Sequence, residues 1–95
     1  MAFGIGDGRK TVTTAGTRVA LEANSHVVEN VVITAETDNT GIVTVGGATV
    51  VAALATRQGT PLKAGSSRTY YNVDLAEIYL DATVSGDGVT YEWMG

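Results

Sequence analysis

Apolar and polar residues alternate along most of the chain, and turn-forming residues separate the alternating stretches. Val19, Leu21 and Ala23 share one face of an extended chain, and Arg18 and Glu22 lie on the other. A period of two is typical of a half-buried β-strand. The pattern recurs with turn signals at intervals of roughly eight to twelve residues, which predicts about six to eight short strands.

This pattern predicts an all-β fold, a small antiparallel β-sandwich or barrel of jelly-roll or immunoglobulin-like type, over residues 17–95. Val, Ile and Thr make up 31 of the 95 residues, and β-branched side chains pack well on a pleated surface. The apolar stretch 49–55 favours a strand or an irregular loop over a short helix. We expect the core to hold Val19, Leu21, Val31, Ile33, Val43, Val45, Leu62, Leu75, Ile78, Leu80, Val89 and Tyr91.

The first sixteen residues differ from the rest of the chain because they contain four glycines and few large apolar side chains. Glycine loses more conformational freedom on folding than any other residue. We therefore expect a flexible N-terminal arm over residues 1–16. Phe3 and Ile5 are its apolar exceptions and are expected to anchor it on a neighbouring protein.

Charge and composition exclude several classes of function. The net charge is −4 and the basic residues form no cluster, which argues against binding to nucleic acid through its phosphates. Cysteine is absent, so there is no disulfide framework and no thiolate metal site. The longest apolar run, Val50–Ala55, is far shorter than the roughly 20 residues of a membrane span, and the start of the chain does not resemble a signal peptide.

Candidate catalytic chemistry is weak, and the sequence predicts a protein that is not an enzyme and needs no cofactor or small-molecule substrate. His26 is the single histidine, and its neighbour Ser25 points to the opposite face of an extended chain. The Gly4–Lys10 stretch lacks the spacing of a phosphate-binding loop. Five of the ten acids lie in the last 22 residues without a calcium-loop spacing, so we expect a solvated acidic face or one that meets a basic partner.

The remaining candidates are residues of a protein–protein interface. Charged residues make up only 17% of the chain, against about 25% in an average domain, which suggests that a partner covers part of the surface. Basic residues in the arm and around the turn at Pro61 are suited to an acidic partner, and exposed aromatics are common interface anchors. The predicted interface residues are Phe3, Ile5, Arg9, Lys10, Arg57, Lys63 and Trp93.

Five segments of turn and core residues follow one another along the chain: 31–35 (VVITA), 39–47 (NTGIVTVGG), 59–65 (GTPLKAG), 74–81 (DLAEIYLD) and 86–91 (GDGVTY). Their order resembles that of small β-sandwich virion proteins of tailed bacteriophages, described as head decoration, head-fibre or minor tail proteins. The resemblance covers residues 17–93.

The resemblance implies a capsid decoration, or cement, protein that binds and stabilises the shell of the major capsid protein. It further implies a homotrimer, made in the host bacterial cytoplasm and located on the capsid surface of the virion. No catalytic residue carries over from that family. Two alternatives are a minor tail or head–tail connector protein, and a carbohydrate- or host-receptor-binding module in which Trp93 and the tyrosines stack on sugar rings.

Overall fold

Eight strands form two antiparallel sheets of four strands each in the computed structural model, which describes residues 4–95. Phe3 lies outside the described residues. In sheet A the strand order is β1-β8-β3-β6, and in sheet B it is β2-β7-β4-β5. The strands are β1 (Ile5–Thr11), β2 (Val19–Ala20), β3 (Val27–Ala35), β4 (Val43–Gly46), β5 (Thr60–Leu62), β6 (Ser67–Asp74), β7 (Tyr79–Ala82) and β8 (Gly88–Met94).

The inner faces of the two sheets share one hydrophobic core. Eleven of the twelve residues predicted for the core are buried, and the twelfth, Val19, is half-buried against the same cluster. The prediction of an all-β antiparallel fold is therefore confirmed, and the hydrogen bonds divide the strands into two sheets. Six further hydrophobic residues outside the predicted set are buried: Val12, Val28, Ala35, Val50, Ala52 and Ala82.

The N-terminal segment is part of the domain rather than a loose arm. Ile5–Thr11 pairs with β8 along its whole length and forms an edge of sheet A. Gly6 lies directly opposite Trp93, and Gly8 opposite Tyr91, with each aromatic ring against the glycine backbone. A Cβ at either glycine would overlap the ring across from it, so glycine is required there by packing. The expectation of a flexible arm over residues 1–16 is corrected for this stretch, because backbone pairing and aromatic cover replace the missing side chains.

Sheet A contains one irregular position, where β3 faces β6. Glu29 and Asn72 are the only residues missing from an otherwise continuous register, and Asn72 has a left-handed φ of 50°. Asn tolerates that conformation better than most residues. At this point the alternation of inward and outward side chains on β3 shifts by one residue. Val28 and Val31 are therefore both buried although they lie three residues apart. The irregularity thereby keeps both valines in the core.

Stretch 49–55 is an irregular apolar loop, one of the two alternatives predicted for it. Its only ladder contact is the bridge between Val51 and Gln58, and a single 3-10 turn covers Leu54–Thr56. Val50 and Ala52 are nevertheless buried. The loop therefore packs as part of the domain, against the outer face of sheet B.

Candidate functional site

The outer face of sheet B is covered by the protein's own chain. Thr44 and Asp81 point away from the core on neighbouring strands, yet both are buried. One carboxylate oxygen of Asp81 accepts a hydrogen bond from the Ala52 amide at 2.9 Å, and the other accepts one from the Gly16 amide at 3.0 Å. The loop between β4 and β5 is thus tied over the centre of sheet B, which removes Thr44 and Asp81 from contact with partners.

The outer face of sheet A carries no such cover among the described residues. Its side chains form rows that run across the four strands in the order β1, β8, β3, β6. The first row is Ile5, Met94, Asn30 and Tyr71; the second is Asp7, Glu92, Val32 and Thr69; the third is Arg9, Thr90, Thr34 and Ser67.

Large apolar side chains are exposed on this face, which we call the open face and define by those three rows. Ile5 is 70% exposed and Tyr71 is 71% exposed, and Met94 and Val32 are more than one-third exposed. A shallow depression of about 650 Å³ lies on the open face, lined by residues of β1, β8 and β3 that include Asp7, Glu92 and Val32. A broad, open surface of this kind is suited to contact with a macromolecule and not to enclosing a small substrate.

Two of the predicted interface residues lie on the open face. Ile5 begins the first row, and Arg9 begins the third. The Nη2 atom of Arg9 is 3.1 Å from a carboxylate oxygen of Glu36, so this guanidinium is already paired. Sequence reasoning did not place Tyr71 or Glu92 beside them, because the strand order that brings the four strands together is not visible in the local pattern.

The other described interface candidates lie elsewhere. Lys10 points toward the inner side of β1, opposite Val89, and is half-buried. Arg57 donates a hydrogen bond to the Ala52 carbonyl, and Lys63 is exposed in the turn between β5 and β6. The six predicted residues that the structure describes therefore do not form one surface.

Trp93 points inward and packs against the core. Its ring meets the ring of His26 edge-on, with a centroid distance of 4.4 Å. The carbohydrate-binding hypothesis relied on exposed Trp93 and tyrosines; the Trp93 ring is half-buried, whereas Tyr71 is exposed.

The surroundings of His26 are those of a structural side chain. Its Nδ1 atom lies 3.1 Å from one carboxylate oxygen of Glu22, and the Tyr91 hydroxyl donates to the other at 2.9 Å. Burial, followed by the hydrogen bond to Glu22, raises the pKa of Tyr91 to about 12. Ser25 does not pair with His26 but donates to Asp74 at 2.5 Å, so these residues do not form a nucleophile–base–acid relay.

Three of the five C-terminal acids, Asp74, Asp81 and Asp87, hold turns in place, which corrects the expectation of an acidic face for these three; Glu77 and Glu92 are exposed. Besides Asp81, Asp87 is buried and accepts hydrogen bonds from the Gly41 and Thr40 amides at 2.8 and 3.2 Å. Asp74 accepts from Ser25 and from two backbone amides. The hydroxyl of Ser25 first, and then those amides, hold the pKa of Asp74 below its ordinary value.

A sequence signal for the role of Asp74 was available. Asp74 stands three residues before Glu77, the spacing of a capping box, and its side chain accepts from the Ala76 amide at the start of a 3-10 turn. Within residues 4–95, no group of three or more His, Asp or Glu side chains is arranged to hold a metal ion. No helix in that part of the chain is both long and apolar enough to cross a membrane.

Comparisons of the chain with known protein families, with curated proteins and with solved structures find no match.

Proposed function

We propose that the chain is a structural protein of a bacteriophage virion, a capsid decoration protein that binds the shell of the major capsid protein. The observation that carries the proposal is the open face of sheet A, because it is a broad sheet surface with exposed apolar side chains. Exposed apolar patches of this kind mark interaction surfaces. The resemblance of segments in residues 17–93 to virion proteins supplies the class of partner.

The internal hydrogen bonds support a role in stiffening a shell. Asp74, Asp81 and Asp87 each bind backbone amides of segments far away in the sequence, so turns at both ends of the sheets are held to the body of the domain. We infer a rigid β-sandwich that binds by surface area and without a reactive group. Homotrimer formation and a place on the outside of the capsid belong to the same proposal.

The test removes the protein from assembled shells and restores it. Shells stripped of the chain are expected to lose resistance to heat, measured by calorimetry of capsid melting, and to regain it when purified chain is added back. Unchanged melting would refute a decoration role. Counting copies per virion by quantitative mass spectrometry separates the runner-up, since a shell protein is present in hundreds of copies and a tail or connector protein in far fewer.

A further inference from the structure

The open face carries two carboxylates that oppose each other without a cation between them. Asp7 on β1 and Glu92 on β8 are directly opposite in the register, and both are exposed. Like charges at opposite positions destabilise a pair of strands. Within residues 4–95, Arg9 pairs with Glu36 and the His26 ring contacts Glu22, so neither carboxylate of this pair has a partner there.

The charge on this face is negative as a whole. Its rows contain two negative charges, Asp7 and Glu92, and one positive charge, Arg9. Glu36 lies outside the rows and adds a third negative charge beside Arg9, at 3.1 Å from it. The net charge of these four groups is therefore −2. A nucleic acid would be repelled, and a second copy placed with the same face inward would bring four unpaired carboxylates together.

Apolar side chains flank the carboxylate pair on two sides. Ile5 and Met94 form the adjacent row on the same two strands, and Val32 lies directly beside Glu92 on β3. All three are exposed by more than one-third. A purely apolar partner would remove water from two carboxylates and leave them unpaired, which is costly. The partner surface that fits must supply a cation and apolar contacts together.

We propose that the open face docks on a patch of the major capsid protein that presents a lysine or arginine framed by apolar side chains, with Asp7 and Glu92 receiving the cation. This inference rests on the proposed function and deepens it by assigning the surface and the chemistry of its partner. The like-charge pair is explained as a cost to the free domain that binding removes.

The test measures binding of full-length variants to shells that have been stripped of this chain. In co-sedimentation, Asp7→Lys is expected to weaken the affinity at least about tenfold, because the new lysine would repel the lysine or arginine proposed on the partner surface. Ile5→Ser is expected to weaken it as well, through the apolar frame. The matched controls are Asp38→Lys and Leu54→Ser, since Asp38 is exposed away from the face and Leu54 is 79% exposed on the loop that covers sheet B. Both controls are expected to bind like the unmodified chain.

Thermal unfolding of the same variants separates docking from damage to the fold. Asp7→Lys places a lysine opposite Glu92, so its Tm is expected to rise by about 1–4 °C while its affinity falls. Affinity of the unmodified chain is expected to fall between about 50 and about 300 mM NaCl. If the unmodified chain binds and Asp7→Lys binds equally well, the docking surface is wrong and the decoration function stands. If the unmodified chain does not bind stripped shells, the proposed function and this inference both fail.

Discussion

Asp81 is expected to be the main attachment of the loop that covers sheet B. Asp81→Asn preserves the size of the side chain but leaves one oxygen acceptor where there were two, so an NH2 group faces the amide of either Ala52 or Gly16. A buried amide left without an acceptor costs about 1–3 kcal/mol, and the bond that remains loses the assistance of the charge. The free energy of unfolding is therefore expected to fall by about 2–4 kcal/mol.

That loss is a large share of the roughly 5–15 kcal/mol that stabilises a typical domain. For a chain of this length it corresponds to a fall in Tm on the order of 10–25 °C, measured by circular dichroism with urea unfolding as a second probe. Glu77→Gln is the matched control, because it makes the same change of charge at an exposed position. Its Tm is expected to stay within a few degrees of the unmodified chain.

Hydrogen exchange gives the prediction its local signature. The amides of Ala52 and Gly16 are expected to exchange faster in Asp81→Asn, while amides of sheet A that open only by global unfolding change in proportion to the lost stability. The reasoning is refuted if Asp81→Asn melts with the unmodified chain. It is equally refuted if the protein is destabilised while the amides of Ala52 and Gly16 both keep their protection relative to sheet A.

The remaining predictions concern the aromatic cover of β1 and two titrating groups. Gly8→Val is expected to lower the free energy of unfolding by about 1–3 kcal/mol in urea titrations, because a Cβ at this position would lie 2.5 Å from the Tyr91 ring. Gly4→Val is the control and is expected to leave the free energy of unfolding unchanged, because nothing lies within 4 Å of a Cβ there. Since the pKa of Tyr91 is raised from 10.0 to about 12, its contribution to stability is complete below pH 10 and is lost as pH rises toward 12. Ultraviolet absorbance of the phenolate, compared with unfolding curves at each pH, checks this. Tyr91→Phe is expected to abolish the loss of stability over this pH range. The pKa of Asp74 is lowered from 3.8, so its contribution to stability is present above about pH 4 and is lost as pH falls through the pKa of the folded protein. Ser25→Ala is expected to raise the pKa of Asp74 in an NMR titration. An unchanged pKa would contradict the role of the Ser25 hydroxyl.

The aromatic–glycine pairs show why the N-terminal strand escaped sequence reasoning. Alternation of apolar side chains identifies a strand by what it buries, and β1 buries almost nothing of its own. Its inward positions include Gly6 and Gly8, which are covered by Trp93 and Tyr91 from the neighbouring strand. The sequence does contain a signal for this strand: Gly6 and Gly8 alternate on β1, and Tyr91 and Trp93 alternate on β8. The two alternations are related only by the pairing of these distant segments.

The candidate site was predictable only in part, for the same reason. Ile5 and Arg9 were chosen from their residue types, and both lie on the open face. The opposition of Asp7 and Glu92 depends on the register of two strands that are separated by most of the chain. Lys10 and Trp93 were also chosen from their residue types, but their side chains point to the inner side of their strands.

The sequence by itself determined the all-β class and eleven buried core positions, because a period of two acts over a few neighbouring residues. Tertiary structure alone decided which sheet face stays open. Thr44 and Asp81 have the alternation of solvent-facing residues, yet a loop from elsewhere in the chain buries them. Whether an outward side chain meets water or protein depends on packing between distant segments, which local alternation does not record.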